Sequence, residues 1–348
     1  MRTLTWWTRV IDRILIVGLG SIGSRHLRIA RENFPNSKIK ILRHQTSTSN
    51  PELSDGCLLT LEEVIDFAPE VAVISNPSTF HLGIAQTLAK IGTHMLIEKP
   101  ISASSEGVLR LIGICKEMNS VLMLGYNLRF SSSLQHFRNL IKSDLVGKLL
   151  SVRCEVGQYL PSWRPGSDYR QGVSAKKILG GGVLLELSHE IDYLRWIFGE
   201  VDWVRATISR QSNLDIDVED SAHMIIGFQK SATEPQLIGT LNMDFIRHDK
   251  TRSCVAIGEN GTLRWDGVAG EIFVFKEGAS AWEKITSSEN ENDTYRTQWR
   301  EFVKCVNRSS LPTVTGEDGL RVLEVIEAAH RSAETGTQVT INRVQEQG

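Results

Sequence analysis

A short apolar run, three closely spaced glycines and a helix-like segment follow one another between residues 13 and 33. Gly18, Gly20 and Gly23 enclose Ser21 and Ile22 in the pattern G-x-G-x-x-G. After a strand and before a helix, the first glycine permits the tight turn, the second lets a pyrophosphate approach the backbone, and the third lets the helix pack on the strand. The phosphates then bind at the helix N-terminus. These five residues therefore predict a dinucleotide-binding turn.

The end of the second strand, residues 37–42, carries Arg43 and His44. An Asp or Glu at this position, about 20 residues beyond the glycines, typically holds the adenosine ribose, whereas an arginine nearby accommodates a 2′-phosphate. The pair therefore favours NADP over NAD. An exposed basic loop is the alternative interpretation, because loops after strands vary freely.

Strand and helix patterns then alternate as far as residue 125. Residues 70–75 read as a buried strand followed by a turn with Asn76 and Pro77, His81 and a helix over 82–90. A second buried strand at 93–97 ends in Glu98-Lys99-Pro100, and the pattern predicts a helix over 102–118 with Ser102 as its N-cap and a strand at 121–125. Such alternation predicts a doubly wound parallel sheet with ligands at the carboxyl ends of its strands.

The pattern changes after Tyr126. A helix over 133–142 precedes several strands with few helices between them, which indicates a mostly antiparallel sheet and hence an α+β second domain. The expected strands are 149–157, 201–210, 222–228, 236–243, 253–257 and 271–275, with a hairpin turn at 259–261 and helices over 295–307 and 318–335. The predicted domains are residues 1–126 and 127–348.

The charge balance argues against a nucleic-acid or anionic-membrane partner. The 348 residues include 39 Lys and Arg against 41 Asp and Glu, and no stretch approaches about 18 consecutive apolar residues. The five cysteines are scattered without metal-like spacing, so we expect reduced packing residues and no metal site. The chain is expected to be a soluble cytoplasmic protein that acts on a small molecule.

Residues 178–197 contain three consecutive glycines, Gly180 to Gly182, ahead of an apparent helix. If the helix begins near Val183, one side is an apolar stripe of Leu184, Leu187, Ile191 and Leu194, and Glu186, His189 and Asp192 lie on the other. That polar side is either a solvated face or an acid–base site, and the segment alone leaves both open.

The motifs in this order resemble the glucose–fructose oxidoreductase, inositol dehydrogenase and rhizopine catabolism (Gfo/Idh/MocA) family. The resemblance runs from about residue 13 to 341. It rests on the glycine turn, the Asn76-Pro77 turn with His81, Glu98-Lys99-Pro100, residues 125–130 (GYNLRF), and Gly180 to Gly182 followed by His189 and Asp192. It implies a nicotinamide-binding Rossmann domain and a C-terminal α/β domain whose open sheet serves a homodimer or homotetramer. It also implies hydride transfer at a carbon of a sugar, cyclitol, sugar acid or sugar nucleotide.

The resemblance places catalysis on Lys99 and His189. Lys99 would stabilise developing alkoxide character on the reacting oxygen, and His189 would carry the hydroxyl proton. In many family members an Asp precedes the histidine by four residues, but Leu185 stands there in this chain. Glu186, three residues before His189, or Asp192 is therefore the expected orienting acid.

Binding residues follow from the same resemblance. The residues expected on the nicotinamide side of the cofactor are Asn76, Pro77, His81, Glu98 and Lys99. Those expected near the substrate are Asn127 and Arg129.

The segment 160–170 lies where the family builds substrate contacts. Trp163 and Tyr169 would stack on a sugar ring, and Arg164 and Arg170 would bind a carboxylate or phosphate. An ordinary charged surface loop is the alternative for this segment.

Two other functions share a cofactor domain of this kind. One is the reduction of a C=C or C=N bond, as in enzymes similar to biliverdin reductase or dihydrodipicolinate reductase, which need no Lys–His pair. The other is a non-catalytic dinucleotide sensor. The presence of both Lys99 and His189 favours the dehydrogenase interpretation.

Overall fold

The computed structural model describes residues 11–43, 51–230, 235–285, 293–308 and 310–341. These residues form two compact units. The first contains the described residues up to Asn127 together with Thr294–Leu320, and the second those of Leu128–Asp293 and from Arg321 onward. The division into residues 1–126 and 127–348 stays a prediction. Each compact unit contains two separate segments of the chain.

The first unit contains a parallel six-stranded sheet with the order β3-β2-β1-β4-β5-β6. Its apolar strands are buried, as expected for a sheet with helices on both faces. The chain builds outward from β1 on one side and then from β4 on the other, so the strand order reverses between β1 and β4. This confirms the predicted doubly wound sheet. The strands are β1 Arg13–Val17, β2 Lys38–Leu42, β3 Cys57–Leu58, β4 Val71–Ile74, β5 His94–Ile97 and β6 Leu122–Leu124.

Four helices accompany these strands in sequence: α1 Ser21–Asn33, α2 Leu61–Phe67, α3 His81–Lys90 and α4 Val108–Glu117. The predicted start of α4 at Ser102 is wrong, since the helix begins six residues later. Gly107, with φ +77°, precedes its first turn in the left-handed region, which interrupts a continuous helix from residue 102.

The second unit contains α5 Ser132–Lys142 and a nine-stranded sheet with the order β14-β13-β12-β11-β7-β10-β9-β8-β15. All neighbouring strands run antiparallel except β7 and β10, which confirms a mostly antiparallel sheet. The hairpin at 259–261 is confirmed, because Gly258 pairs with Gly261. The strands are β7 Leu149–Gly157, β8 Val201–Ser209, β9 Ser221–Phe228, β10 Ile238–Asp244, β11 Thr251–Gly258, β12 Gly261–Asp266, β13 Glu271–Lys276, β14 Glu283–Ile285 and β15 Val339–Thr340.

The glycine-rich segment of the second unit forms two helices, α6 Val183–Glu186 and α7 His189–Phe198. The prediction of one continuous helix is wrong, because Leu187 and Ser188 form a turn between them. The expected apolar stripe is confirmed: Leu184, Leu187, Ile191 and Leu194 are all buried. Two long helices, α8 Thr294–Arg308 and α9 Gly316–Thr335, lie in sequence between β14 and β15. No helix within the described ranges is long and apolar enough to span a bilayer.

Candidate active site

Three turns lie at the carboxyl edge of the parallel sheet. Gly18 directly follows β1, Asn76 comes two residues after β4, and Lys99 two residues after β5. Since β4 pairs with both β1 and β5, the three turns are neighbours along this edge. Parallel α/β sheets bind ligands where the strand order reverses, and here that position is between β1 and β4.

The glycine turn is built for close backbone approach. Gly18 has φ +82°, and a Cβ on it would lie 2.9 Å from the Cα and N atoms of Asn76. A Cβ on Gly23 would overlap the carbonyl oxygen of Gly18, whereas one on Gly20 would meet no atom of the described residues within 4 Å. The first turn of α1 contains no acidic residue and its N-cap, Gly20, supplies no side-chain cap. The N–H groups at this helix end therefore suit an anionic ligand.

Arg43 lies beside this turn. The backbone N–H of Gly18 donates to the carbonyl oxygen of Leu42 at 3.0 Å, so the residue after β2 borders the glycines. The side chain of Arg43 is half-buried. His44, the other predicted cation, lies outside the described residues.

The Asn76 turn contains an unsatisfied amide. Both Oδ1 and Nδ2 of Asn76 are buried without a hydrogen-bond partner among the described residues. A buried polar group of this kind costs about 1–3 kcal/mol. A ligand that donates to Oδ1 and accepts from Nδ2 would satisfy it.

His81 joins the second and third turns. Its ring nitrogens lie 2.7 Å from the carbonyl oxygen of Asn76 and 3.0 Å from that of Pro100, which follows Lys99. Burial lowers the pKa of His81, while hydrogen bonds to those carbonyls act in the opposite direction. These contacts connect the ring to protein backbone, and its predicted contact with cofactor stays a prediction.

Glu98 is held by two residues that the sequence reasoning missed. Its Oε1 lies 2.8 Å from Nε2 of His26, and Nε1 of Trp299 donates to Nδ1 of His26 at 2.9 Å. The backbone N–H of Lys99 donates to Oε2 of Glu98 at 3.3 Å. His26 lies three residues after Gly23, the last glycine of the motif, so its position in the first half of α1 was a usable signal. Trp299 comes from α8, and no local pattern pairs it with Glu98.

Asn127 has a partner from the same distant segment. Its Nδ2 donates to Oγ1 of Thr294 at 2.7 Å, and the residue is buried. Its predicted contact with substrate stays a prediction.

The acidic residues of α7 are bound by arginines. Arg129 donates from Nε and Nη2 to both carboxylate oxygens of Asp192, at 2.9 and 2.6 Å. Only 3% of Arg129 and 1% of Asp192 is exposed. The neighbouring Glu190, fully buried, accepts from Nε of Arg252 at 2.7 Å. These two ion pairs fix the start of α7, where His189 is the first residue.

Glu186 and the glycines before it also have structural partners. Oγ of Ser174 donates to Oε2 of Glu186 at 2.7 Å. Oε1 of Glu219 accepts from the backbone N–H of Leu184 at 3.2 Å, and a Cβ on Gly182 would overlap that carboxylate. Burial raises the pKa of Glu219. The sequence identified Gly182 as part of a motif but not Glu219 as the group it accommodates.

The predicted substrate segment lines a cleft of about 330 Å³ within the second unit. Trp163, Arg164 and Tyr169 line it, together with Asp168 and Ser174. The indole of Trp163 donates to the carbonyl oxygen of Gln158 at 2.9 Å, which fixes the ring. Arg170 is exposed and paired with Asp168 at 2.8 Å. No three His, Cys, Asp or Glu side chains of the described chain gather as metal ligands.

Comparison with known proteins agrees with this architecture. Residues 13–126 match the oxidoreductase family model of the NAD-binding Rossmann fold, and residues 138–341 match the model of the C-terminal alpha/beta domain of the same family. Myo-inositol 2-dehydrogenase of Thermotoga maritima is 25% identical over 352 residues, 95% of this chain and 99% of that protein. D-xylose 1-dehydrogenase (NADP(+)) 2 of Haloferax volcanii is 23% identical over 278 residues, 80% and 82% of the two chains.

Among solved structures, levoglucosan dehydrogenase in complex with NADH superposes with a TM-score of 0.81 at 20% identity, covering 96% of this chain and 100% of that one. At this identity the likeness concerns the fold. The two family models together span the glycine turn, the Lys99 turn and α7. The chain belongs to the Gfo/Idh/MocA family of nicotinamide-dependent oxidoreductases.

Proposed function

We propose that this protein transfers hydride between a nicotinamide cofactor and a secondary alcohol or ketone carbon of a sugar, cyclitol, sugar acid or sugar nucleotide. One observation carries the proposal: Lys99 stands at the carboxyl edge of the parallel sheet, in the turn next to an unsatisfied Asn76 amide and two strands from the glycine turn. This arrangement places a cation beside a site suited to a dinucleotide.

The residues of the first unit fit such a cofactor. The N–H groups at the start of α1 would hold the pyrophosphate, with Gly18, Gly20, Ser21, Ile22 and Gly23 forming the turn. The unsatisfied amide of Asn76 would bind the nicotinamide side. When bound, the nicotinamide supplies the hydride acceptor or donor.

Lys99 and His189 are the proposed catalytic residues. In the oxidation direction, the Lys99 ammonium donates a hydrogen bond to the substrate oxygen and stabilises its alkoxide character. His189 accepts the hydroxyl proton, since neutral imidazole is a base near neutral pH. In reduction the same groups return the proton to the carbonyl oxygen. Glu186 or Asp192 would orient His189, and their contacts with Ser174 and Arg129 support a role in holding the segment that carries it.

The substrate class rests on the relatives and on the cleft. The relatives are named for dehydrogenation of myo-inositol and D-xylose, and the solved structure for levoglucosan. Trp163 and Tyr169 offer ring faces to a sugar, and Arg164 adds a positive charge. An anionic sugar is the favoured substrate. Arg170, Asn127 and Arg129 remain proposed substrate contacts.

NADP is the proposed cofactor. Arg43 borders the glycine turn and stands where an Asp or Glu would typically bind the adenosine ribose. Such an acid would exclude a 2′-phosphate, whereas an arginine accommodates one. We further propose a homodimer or homotetramer in the cytoplasm, with residues 1–126 binding cofactor and 127–348 binding substrate. Tighter binding of NADH than of NADPH in a fluorescence titration would contradict the NADP assignment.

The function is tested by following NAD(P)H absorbance with myo-inositol, D-xylose, levoglucosan and a UDP-hexuronic acid. With the fastest substrate, Lys99→Met is expected to lower kcat/KM by about 10²–10³-fold. Lys90→Met, at an exposed position in the last turn of α3, is the matched control and should not. No turnover with any of the panel, or near-normal turnover of Lys99→Met, would contradict the proposal.

A further inference from the structure

We infer that His26 and Trp299 are positioning residues that act through Glu98 to fix the turn carrying Lys99. The inference rests on the proposed catalytic role of Lys99. Three parts of the first unit contribute: α1 supplies His26, the turn after β5 supplies Glu98, and α8 supplies Trp299.

The hydrogen bonds define one tautomer of His26. An indole nitrogen only donates, so Nδ1 of His26, 2.9 Å from Nε1 of Trp299, accepts and carries no proton. The proton of the neutral ring is then on Nε2, which donates to Oε1 of Glu98 at 2.8 Å. Trp299 therefore decides which nitrogen of His26 faces Glu98 as a donor.

Burial makes this chain of hydrogen bonds specific. His26 and Trp299 are fully buried, and 8% of Glu98 is exposed. With solvent excluded from the ring and the indole, an unmatched donor or acceptor there has no replacement partner. The alternative tautomer would turn Nδ1–H toward the indole N–H and a lone pair toward the carboxylate.

Both oxygens of Glu98 are engaged, and the second one reaches Lys99. Oε2 accepts the backbone N–H of Lys99 at 3.3 Å. The missing side chain of Gly125 makes space for Glu98, since a Cβ at this position would lie 2.8 Å from both Cα and Oε2 of Glu98. The carboxylate is therefore enclosed on one side by Gly125, which directly follows β6, and fixed on the other by His26.

Helix α8 is anchored to β6 at the residue next to Trp299. The residue before Trp299, Gln298, donates from Nε2 to the carbonyl oxygen of Leu124 on β6 at 3.3 Å. A long, flexible lysine side chain can be directed only if its backbone is fixed, and a displacement of about 1 Å at a reacting group can cost about 100-fold in rate. His26, Trp299 and Glu98 supply that fixation.

The decisive variants remove one hydrogen bond each. Trp299→Phe keeps the aromatic ring but removes the donor to His26, and we expect kcat to fall by roughly 10-fold or more with substrate KM and NAD(P)H affinity within about 3-fold. Trp265→Phe is the matched control, because it removes a comparable buried indole bond, 3.0 Å to Oγ of Ser133, in the other unit. Its kcat should stay at the wild-type value.

A second pair separates positioning from packing. His26→Gln can still donate to Glu98 from its amide and should retain more of kcat than His26→Ala. Spectra of 15N-histidine-labelled protein, assigned with His26→Gln, should show an Nε2-protonated neutral ring that changes in Trp299→Phe. Equal kcat for Trp299→Phe and Trp265→Phe, or an Nδ1-protonated ring in the wild type, would overturn the inference.

Lys99→Met distinguishes this failure from that of the proposed function. If Lys99→Met lowers kcat/KM by the expected factor of about 10²–10³ while the Trp299 and His26 variants keep wild-type kcat, only the positioning role is wrong. If Lys99→Met itself keeps turnover, the proposed catalytic role fails and the inference fails with it.

Discussion

The Asn76 turn of the first unit and the start of α7 in the second both carry polar side chains, but they use them differently. Asn76 keeps both amide atoms buried without a hydrogen-bond partner among the described residues, whereas Asp192 and Glu190 are bound by Arg129 and Arg252. An unsatisfied polar group is a cost that a ligand can remove. A buried carboxylate already bound by an arginine has its charge neutralised and serves first to hold the helix. The amide of Asn76 is therefore available to a ligand, whereas Asp192 and Glu190 hold the helix that begins at His189.

The largest expected effect is on Asp192. Asp192→Asn leaves the buried Arg129 charge without its counterion, and breaking a buried ion pair in this way costs about 3–5 kcal/mol. Urea unfolding of the cofactor-free protein measures the loss. The double variant Arg129→Met/Asp192→Leu should recover much of it. Unchanged stability with lost turnover in Asp192→Asn would instead assign Asp192 a direct role with His189.

The glycine turn gives the next largest effect. Gly23→Ala brings a Cβ onto the carbonyl oxygen of Gly18 and should cost about 1–3 kcal/mol in unfolding free energy, besides weakening NAD(P)H binding. The added methyl of Gly20→Ala meets no atom within 4 Å in the described part of the chain, so its stability should stay within about 0.5 kcal/mol of wild type. Fluorescence titration should nevertheless show weaker cofactor binding in Gly20→Ala. Wild-type affinity there would remove the proposed phosphate site.

A variant of Asn76 tests whether its unsatisfied amide binds a ligand. Asn76→Ala removes an amide that has no hydrogen-bond partner among the described residues, so the unfolding free energy of the cofactor-free protein should not fall, while NAD(P)H affinity falls about tenfold. Asn33→Ala is a control with the opposite pattern, since Asn33 donates to the carbonyl oxygen of Ile29 in α1. It should lose stability and keep cofactor affinity. A loss of stability without loss of affinity in Asn76→Ala would contradict the assignment.

The smallest effect concerns His81 and pH. Burial lowers its pKa in the folded protein, so the unfolded chain binds more protons as the pH falls below about 6.5. The stability contributed by neutral His81 is therefore fully present above that pH and is lost as the pH falls toward the folded pKa. Urea unfolding between pH 5 and 8 should show a steeper decline for wild type than for His81→Gln. Parallel curves for the two proteins would contradict this sign.

Much of the first unit was predictable because its signals are local. The apolar runs of β1, β4 and β5 and the glycines between β1 and α1 depend on neighbouring residues alone, and the strands appeared where the pattern placed them. The start of α4 was not predicted correctly, since Ser102 offered a plausible cap and the left-handed conformation of Gly107 is only visible in the structure.

The α6–α7 segment shows where local signals end. Its apolar stripe was correct, because burial of a helix face follows from spacing. Its polar side was left open between a solvated face and an acid–base site. Which carboxylates are bound there depended on Arg129, Ser174 and Arg252, which are distant in sequence.

The sequence alone determined the doubly wound cofactor sheet, the mostly antiparallel second sheet and the family, because strand and helix periodicity and the order of short motifs are written in consecutive residues. Only the tertiary structure decided that Trp299 sets the tautomer of His26, that Glu98 holds the backbone of Lys99, and that Asn76 keeps an unsatisfied amide. The physical reason is that hydrogen bonding and burial join residues far apart in the chain, and the partner of a buried polar group is fixed by packing rather than by its neighbours in sequence.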